Sequence, residues 1–202
     1  MDKDVFALSE IDNKLSSNNF CFIIDSDAEE LEKTTILNDY FDFIISMSAF
    51  EHVANVNTCV KVIYKLLHNS GVFYTHFEPI YSSAKGHHLY INDDVYFAKL
   101  PQLNYKHLLN TKEEIKEFID VSFDWSYDFK NRALYQMTDH GKLVNKKMFN
   151  DYILEIMNSP FNSYSINYIM LESVLQDIQI RLVEKFGDMR FDVGGFIIKL
   201  IK

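Results

Sequence analysis

The chain has 202 residues, 48% of them hydrophobic and 15% aromatic, which suffices for one buried core without disulfides or a structural metal and excludes a largely disordered protein. Its 20 basic and 29 acidic residues leave a net charge of −9, so a phosphate backbone finds no general electrostatic hold, and nucleic acid is not an expected partner. No uninterrupted apolar run is long enough to span a bilayer, no signal-like apolar segment follows Met1-Asp2-Lys3-Asp4, and Cys21 and Cys59 fall in apolar periodic segments as small core residues; the expected setting is soluble, reducing and cytoplasmic.

In chain order, Val5, Phe6, Leu8, Ile11 and Leu15 share one face at helical spacing and predict a surface helix over 5–15. Phe20–Ile24 is a short continuous apolar run bounded by polar residues, the pattern of a strand buried on both faces, and Phe41–Ile45 repeats it with Asp42 as its one polar residue. A helix capped by Asn57 or Thr58 carries Val60, Ile63, Tyr64 and Leu67 on one stripe and stops at Asn69-Ser70-Gly71, before a strand over Val72–Phe77. Two apolar strands joined through a helix of this length predict a parallel crossover and an α/β architecture.

Beyond Pro79 the period is lost, and Tyr81–Tyr105 reads as a long loop or cap. A helix begins at Thr111 with Glu114 in capping-box position, and further helices are expected over Met148–Met157 and Ile166–Val183, broken by Asn158-Ser159-Pro160. Gly194-Gly195 precedes a terminal strand, Phe196–Ile201, placed to close the sheet edge. The whole chain, 1–202, is one domain, with the acceptor-site loop and a helical insertion within 78–185.

The segment Phe41-Asp42-Phe43-Ile44-Ile45-Ser46-Met47-Ser48-Ala49-Phe50-Glu51-His52-Val53 resembles the fourth strand and following loop of class I S-adenosylmethionine-dependent methyltransferases. The order continues through the helix, the Asn69-Ser70-Gly71 turn and the next strand, and Phe20–Leu31 is similar to that family's third strand with its acidic tail. The resemblance implies a Rossmann-like sheet with helices on both faces and S-adenosylmethionine as cofactor. It implies Asp2 at the ribose hydroxyls, Asp27 and Ala28 at the adenine, and Ser46, Met47, Ser48 and His52 along the rest of the cofactor. Ligands in open parallel sheets settle at the carboxyl ends of strands, which is where these residues fall. The family's first strand and glycine-rich loop have no counterpart, since the first glycine is Gly71. The expectation is therefore a chain truncated before or at the second strand.

The loop Phe77–Leu89 follows the strand whose end faces the methyl acceptor. A neutral imidazole there, His87 or His88, with His76 a further candidate, could remove the acceptor's proton while Glu78 orients it. A structural role for one of these histidines is equally open. A metal site built with Asp93-Asp94 is a third reading that loses weight because adjacent histidines on a strand point to opposite faces, and no metal is assigned. Phe123–Phe129 is either an acceptor-pocket wall or core. The expected activity is methyl transfer to an oxygen or nitrogen of a small-molecule or glycan acceptor; the alternative is a noncatalytic methyltransferase-like remnant or binding module. The acceptor and the oligomeric state are not fixed by the sequence.

Overall fold

The structure is a computed structural model; it describes residues 5–6, 23–24, 28–33, 37–139 and 144–202. Two short strands, β1 (Val5–Phe6) and β2 (Ile23–Ile24), pair in parallel. The start of the helix expected from Val5 is thus strand, because Val5 and Phe6 pair with Ile23 and Ile24. The rest of that segment, with Asp2, Cys21 and Asp27, lies outside the described residues. A 3-10 helix follows over Ala28–Lys33.

The main sheet is built from β3 (Phe41–Met47), β4 (Leu67–Phe77), β7 (Ser163–Ile169) and β8 (Gly195–Ile201) in the spatial order β3-β4-β8-β7. β3 and β4 are parallel, joined by helix α1 (Val56–Leu66), as the apolar pattern predicted. The sequence suggested β8 as an edge. Instead it runs antiparallel between β4 and β7, and its alternating Phe196, Ile198 and Leu200 are fully buried. The helix cap is Asn55, whose side chain accepts from the Thr58 amide, two residues before the expected position.

A longer correction concerns 163–183. The helix expected over Ile166–Val183 is strand β7 followed by α6 (Gln176–Phe186). Tyr164, Ile166 and Tyr168 alternate with Ser163, Ser165 and Asn167, and this period of two, rich in β-branched and aromatic residues, finds a partner in β8. The stretch 81–105 also holds more structure than a loop, with a hairpin of β5 (Tyr90–Asn92) and β6 (Val95–Tyr96) and two 3-10 turns. After it come α2 (Lys106–Leu109), α3 (Lys112–Ser122), α4 (Tyr127–Thr138) and α5 (Phe149–Met157). The predicted capping box at α3 is present, with Glu114 N donating to Thr111 Oγ1 and Thr111 N donating to Glu114 Oε2.

One core lies between the sheet and α1 and α5. Phe50, Phe73, Phe77, Tyr152 and Phe196 are fully buried there, and Phe77 meets Phe50, Tyr152 and Phe196 at ring-centroid distances of 5.5, 5.1 and 5.6 Å. Burying each such ring contributes on the order of 2–3 kcal/mol. A second core gathers Leu89, Leu103, Ile115, Ile119, Ala133 and Met137 around α3 and α4. Phe123 and Trp125 stack at 3.9 Å and, with Phe129, pack half-buried against it, whereas Tyr127 of the same run is exposed.

Candidate active site at the ends of two parallel strands

Strands β3 and β4 end side by side, Met47 in register with His76. Ser48 follows with φ of 47°, a left-handed conformation uncommon for a side-chain-bearing residue, and its amide donates to the His76 carbonyl at 2.8 Å. The chain thus turns sharply off the strand into a 3-10 helix over Phe50–His52.

Beside this turn a cavity of about 370 Å³ opens between β3, α1 and the 28–33 helix. Ala28, Ser46 and Met47, three of the residues the resemblance assigned to the cofactor, line it together with Ala49, Val53 and α1 side chains. Ser48 and His52 lie next to it but do not line it. Among the described residues the wall is apolar apart from Ser46.

The histidine loop divides into unlike parts. His87 is fully buried, accepts from the Leu89 amide at Nδ1 and packs edge-on to His107 at 5.4 Å. The imidazole is thus enclosed by protein on all sides. Gly86, just before it, has no room for a side chain, since a Cβ would meet the Tyr81 carbonyl oxygen at 2.2 Å. His88, with φ of 47°, bonds through Nε2 to the Pro79 carbonyl, and burial lowers its pKa to about 4, so it is neutral at ordinary pH. Its ring meets that of His52 at 5.5 Å. His76 Nε2 lies 4.0 Å from Glu78 Oε2, both side chains partly exposed. Among the described residues no group of three or more His, Cys, Asp or Glu side chains is placed to hold a metal ion.

The residue that sequence reasoning missed is Asn145. Its backbone amide donates to the Glu51 carbonyl at 3.0 Å, and its side-chain amide to the carbonyls of Phe50 and Val53 at 3.2 and 3.0 Å. Its Oδ1 accepts from the Tyr152 hydroxyl at 2.9 Å. Asn145 thus clamps the Glu51–His52 turn onto α5 from more than 90 residues away. No local pattern marks such a contact, because its partners are so distant in the sequence.

Residues 5–75 match the family described as methyltransferase domain. That span runs from β1 through most of β4 and bears out, for this part of the chain, the resemblance drawn from Phe41–Val53. No curated protein matches the chain. Among solved structures it is similar to an S-adenosylmethionine-dependent methyltransferase from Thermotoga maritima at 10% identity, covering 98% of this chain and 72% of that one with a TM-score of 0.45. A second, from Archaeoglobus fulgidus, shares 12% identity over 98% of this chain and 75% of its own, with a TM-score of 0.41. The Haemonchus contortus phosphoethanolamine N-methyltransferase 2, solved with S-adenosyl-L-methionine, shares 11% identity over 96% of this chain and 39% of its own, with a TM-score of 0.42. Overlaps this loose transfer no residue role. Among the described residues no helix is long and apolar enough to cross a membrane.

Proposed function

We propose that the chain is an S-adenosylmethionine-dependent methyltransferase domain acting on an oxygen or nitrogen nucleophile of a small-molecule or glycan acceptor. The observation that carries the reading is the shared cavity: Ala28 after β2 and Ser46-Met47 at the end of β3 meet around one space, inside the segment that matches the methyltransferase family. Its volume of about 370 Å³ falls within the range of pockets that enclose small ligands, and its apolar wall suits the flat face of a purine. Ala28, Met47 and the Ser46 hydroxyl would hold the cofactor, with Asp2 and Asp27 proposed as its hydrogen-bonding anchors. When bound, the cofactor supplies a methyl carbon on a sulfonium, whose carbon–sulfur bond breaks with its electron pair staying on sulfur.

The chain's own part is to hold the acceptor in line, keep water out and take a proton where the acceptor carries one. Glu78, His76 and His88, at and beyond the end of β4, are the groups proposed for that proton. The second reading, a noncatalytic methyltransferase-like remnant or binding module without a functional cofactor site, is favoured by the same lining, in which Ser46 is the one polar side chain among the described residues. Calorimetric titration with S-adenosylhomocysteine separates the two. The enzyme reading expects saturable heat that Ala28→Trp, filling the cavity, reduces at least tenfold in affinity; absence of heat at millimolar ligand overturns it.

A further inference from the structure

Two surface features lie outside the candidate site. The first is a groove of about 590 Å³ between α1 and the chain leaving α5, lined by Thr58, Lys61, Tyr64, Lys65, Asn158 and Pro160. Lys61 and Lys65 stand one helical turn apart on α1, and no carboxylate is among the described lining residues. The Tyr64 ring is held edge-on to Phe161 at 5.3 Å, with the Lys202 ammonium 4.6 Å from its centroid. Leu154 and Met157 are exposed on the last turn of α5, which ends at Asn158, so the groove is basic on its α1 side and bordered by apolar side chains on the other. On a chain of net charge −9, a groove of this sign draws an acidic surface toward it.

The second feature is the turn that joins α3 to α4, residues 121–128. Val121 and Tyr127 are 82% and 79% exposed, the highest values of any large hydrophobic side chain among the described residues. Asp124 and Asp128 beside them are exposed, and neither is ion-paired among the described residues. The lysines of this region are engaged with Asp120, Lys116 through its carboxylate at 2.6 Å and Lys130 through its backbone carbonyl at 3.1 Å. Stacked Phe123 and Trp125 brace the turn from beneath against the second core. An outward aromatic ring on a braced turn costs little entropy to bury, and such rings anchor many protein interfaces.

We propose that the groove receives the α3–α4 turn of a second copy of this chain. Val121 and Tyr127 lie against Leu154 and Met157, while Asp124 and Asp128 face Lys61 and Lys65. The donating and receiving surfaces are different parts of the chain, so each copy carries both halves of the match and the contact is head-to-tail. It goes beyond the methyltransferase reading and does not depend on it, because neither half includes a residue of the candidate active site. Opposite charges at the rim steer the encounter and fix its register, and salt weakens them.

Sedimentation velocity of the full chain tests the contact. Self-association is expected at low salt, with affinity falling about tenfold or more between roughly 50 and 500 mM salt. Lys61→Glu and Asp124→Lys each change one exposed side chain, one in each half, and melting curves matching the parent's verify the fold. Each variant alone sets like charges against one another and is expected to sediment as a monomer. An equimolar mixture of the two restores opposite charges and is expected to associate again. Tyr127→Ser, which removes the anchor with both charges in place, is expected to weaken association at least tenfold. An unaltered chain that stays monomeric at low salt overturns the proposal, and so does a mixture of the charge variants that stays monomeric. Association that survives both charge reversals also overturns it and assigns the contact to another face, such as the exposed Phe43, Ile45 and Met47 of β3.

Discussion

At the residue scale, the histidines of one loop differ because their surroundings do. His88 is the one with a predictable effect on stability. An unfolded imidazole binds its proton near pH 6.5, the folded one only near 4, so between those values the unfolded chain takes up more protons. The stability that neutral His88 contributes is therefore complete above pH 6.5 and lost as the pH falls through 4. Glu51 acts with the opposite sign: burial raises its folded pKa above 4.5, so its contribution is present below that value and fades as the pH rises through the folded pKa. Thermal unfolding at pH 7 and pH 5 isolates the imidazole when compared with His88→Gln, which keeps a donor for Pro79 but does not titrate. The variant is expected to lose less of its Tm on acidification than the parent; an equal loss would show that His88 titrates normally. Asn145 makes a stronger claim. Asn145→Ala strands the carbonyls of Phe50 and Val53 and the Tyr152 hydroxyl, costing about 2 kcal/mol, a Tm loss of roughly 4–8 °C. A melt within 1 °C of the parent would remove Asn145 as the clamp of the turn.

At the scale of elements, the crossover β3-α1-β4 was legible because three signals agree: continuous apolar strands, a one-sided helix and polar stops between them. The 163–183 region was not, because Ile166, Ile169 and Met170 fall at helical spacing while Tyr164, Ile166 and Tyr168 alternate, and only the presence of β8 alongside decides between the two. The insertion of β8 between β4 and β7 is equally a tertiary outcome. Gly195 shows how tightly it fits, since a Cβ there would meet the Phe77 carbonyl oxygen at 2.4 Å and Glu78 Cβ at 2.7 Å. Gly195→Ala would push the start of β8 off the end of β4, where Glu78 projects. The expected cost is about 1–3 kcal/mol, read as a lower midpoint in urea with the slope unchanged. A midpoint equal to the parent's would mean that the two strands approach less closely.

At the scale of the whole molecule, a four-stranded mixed sheet with its aromatic core carries the candidate site, and the second core around α3 and α4 extends the chain beyond the end of β4. Of the residues proposed for the cofactor, Ala28, Ser46 and Met47 line one cavity, a convergence that their places near strand ends made readable in the sequence. The setting of the histidines was not: His87 and His88 are adjacent in the sequence, but packing buries the first and bonds the second to the Pro79 carbonyl, while the backbone of the Glu51–His52 turn is held by the distant Asn145. Spacing conveys which residues can end a strand; it does not convey which side chain the rest of the fold leaves facing outward.

The central claim is that strand ends converge on a nucleoside site between the 28–33 helix and the end of β3. The measurement closest to it is the structure of the chain with S-adenosylhomocysteine. The ligand is expected in the cavity, in contact with Ala28, Ser46 and Met47. A ligand found elsewhere, or none at saturating concentration, would contradict the claim.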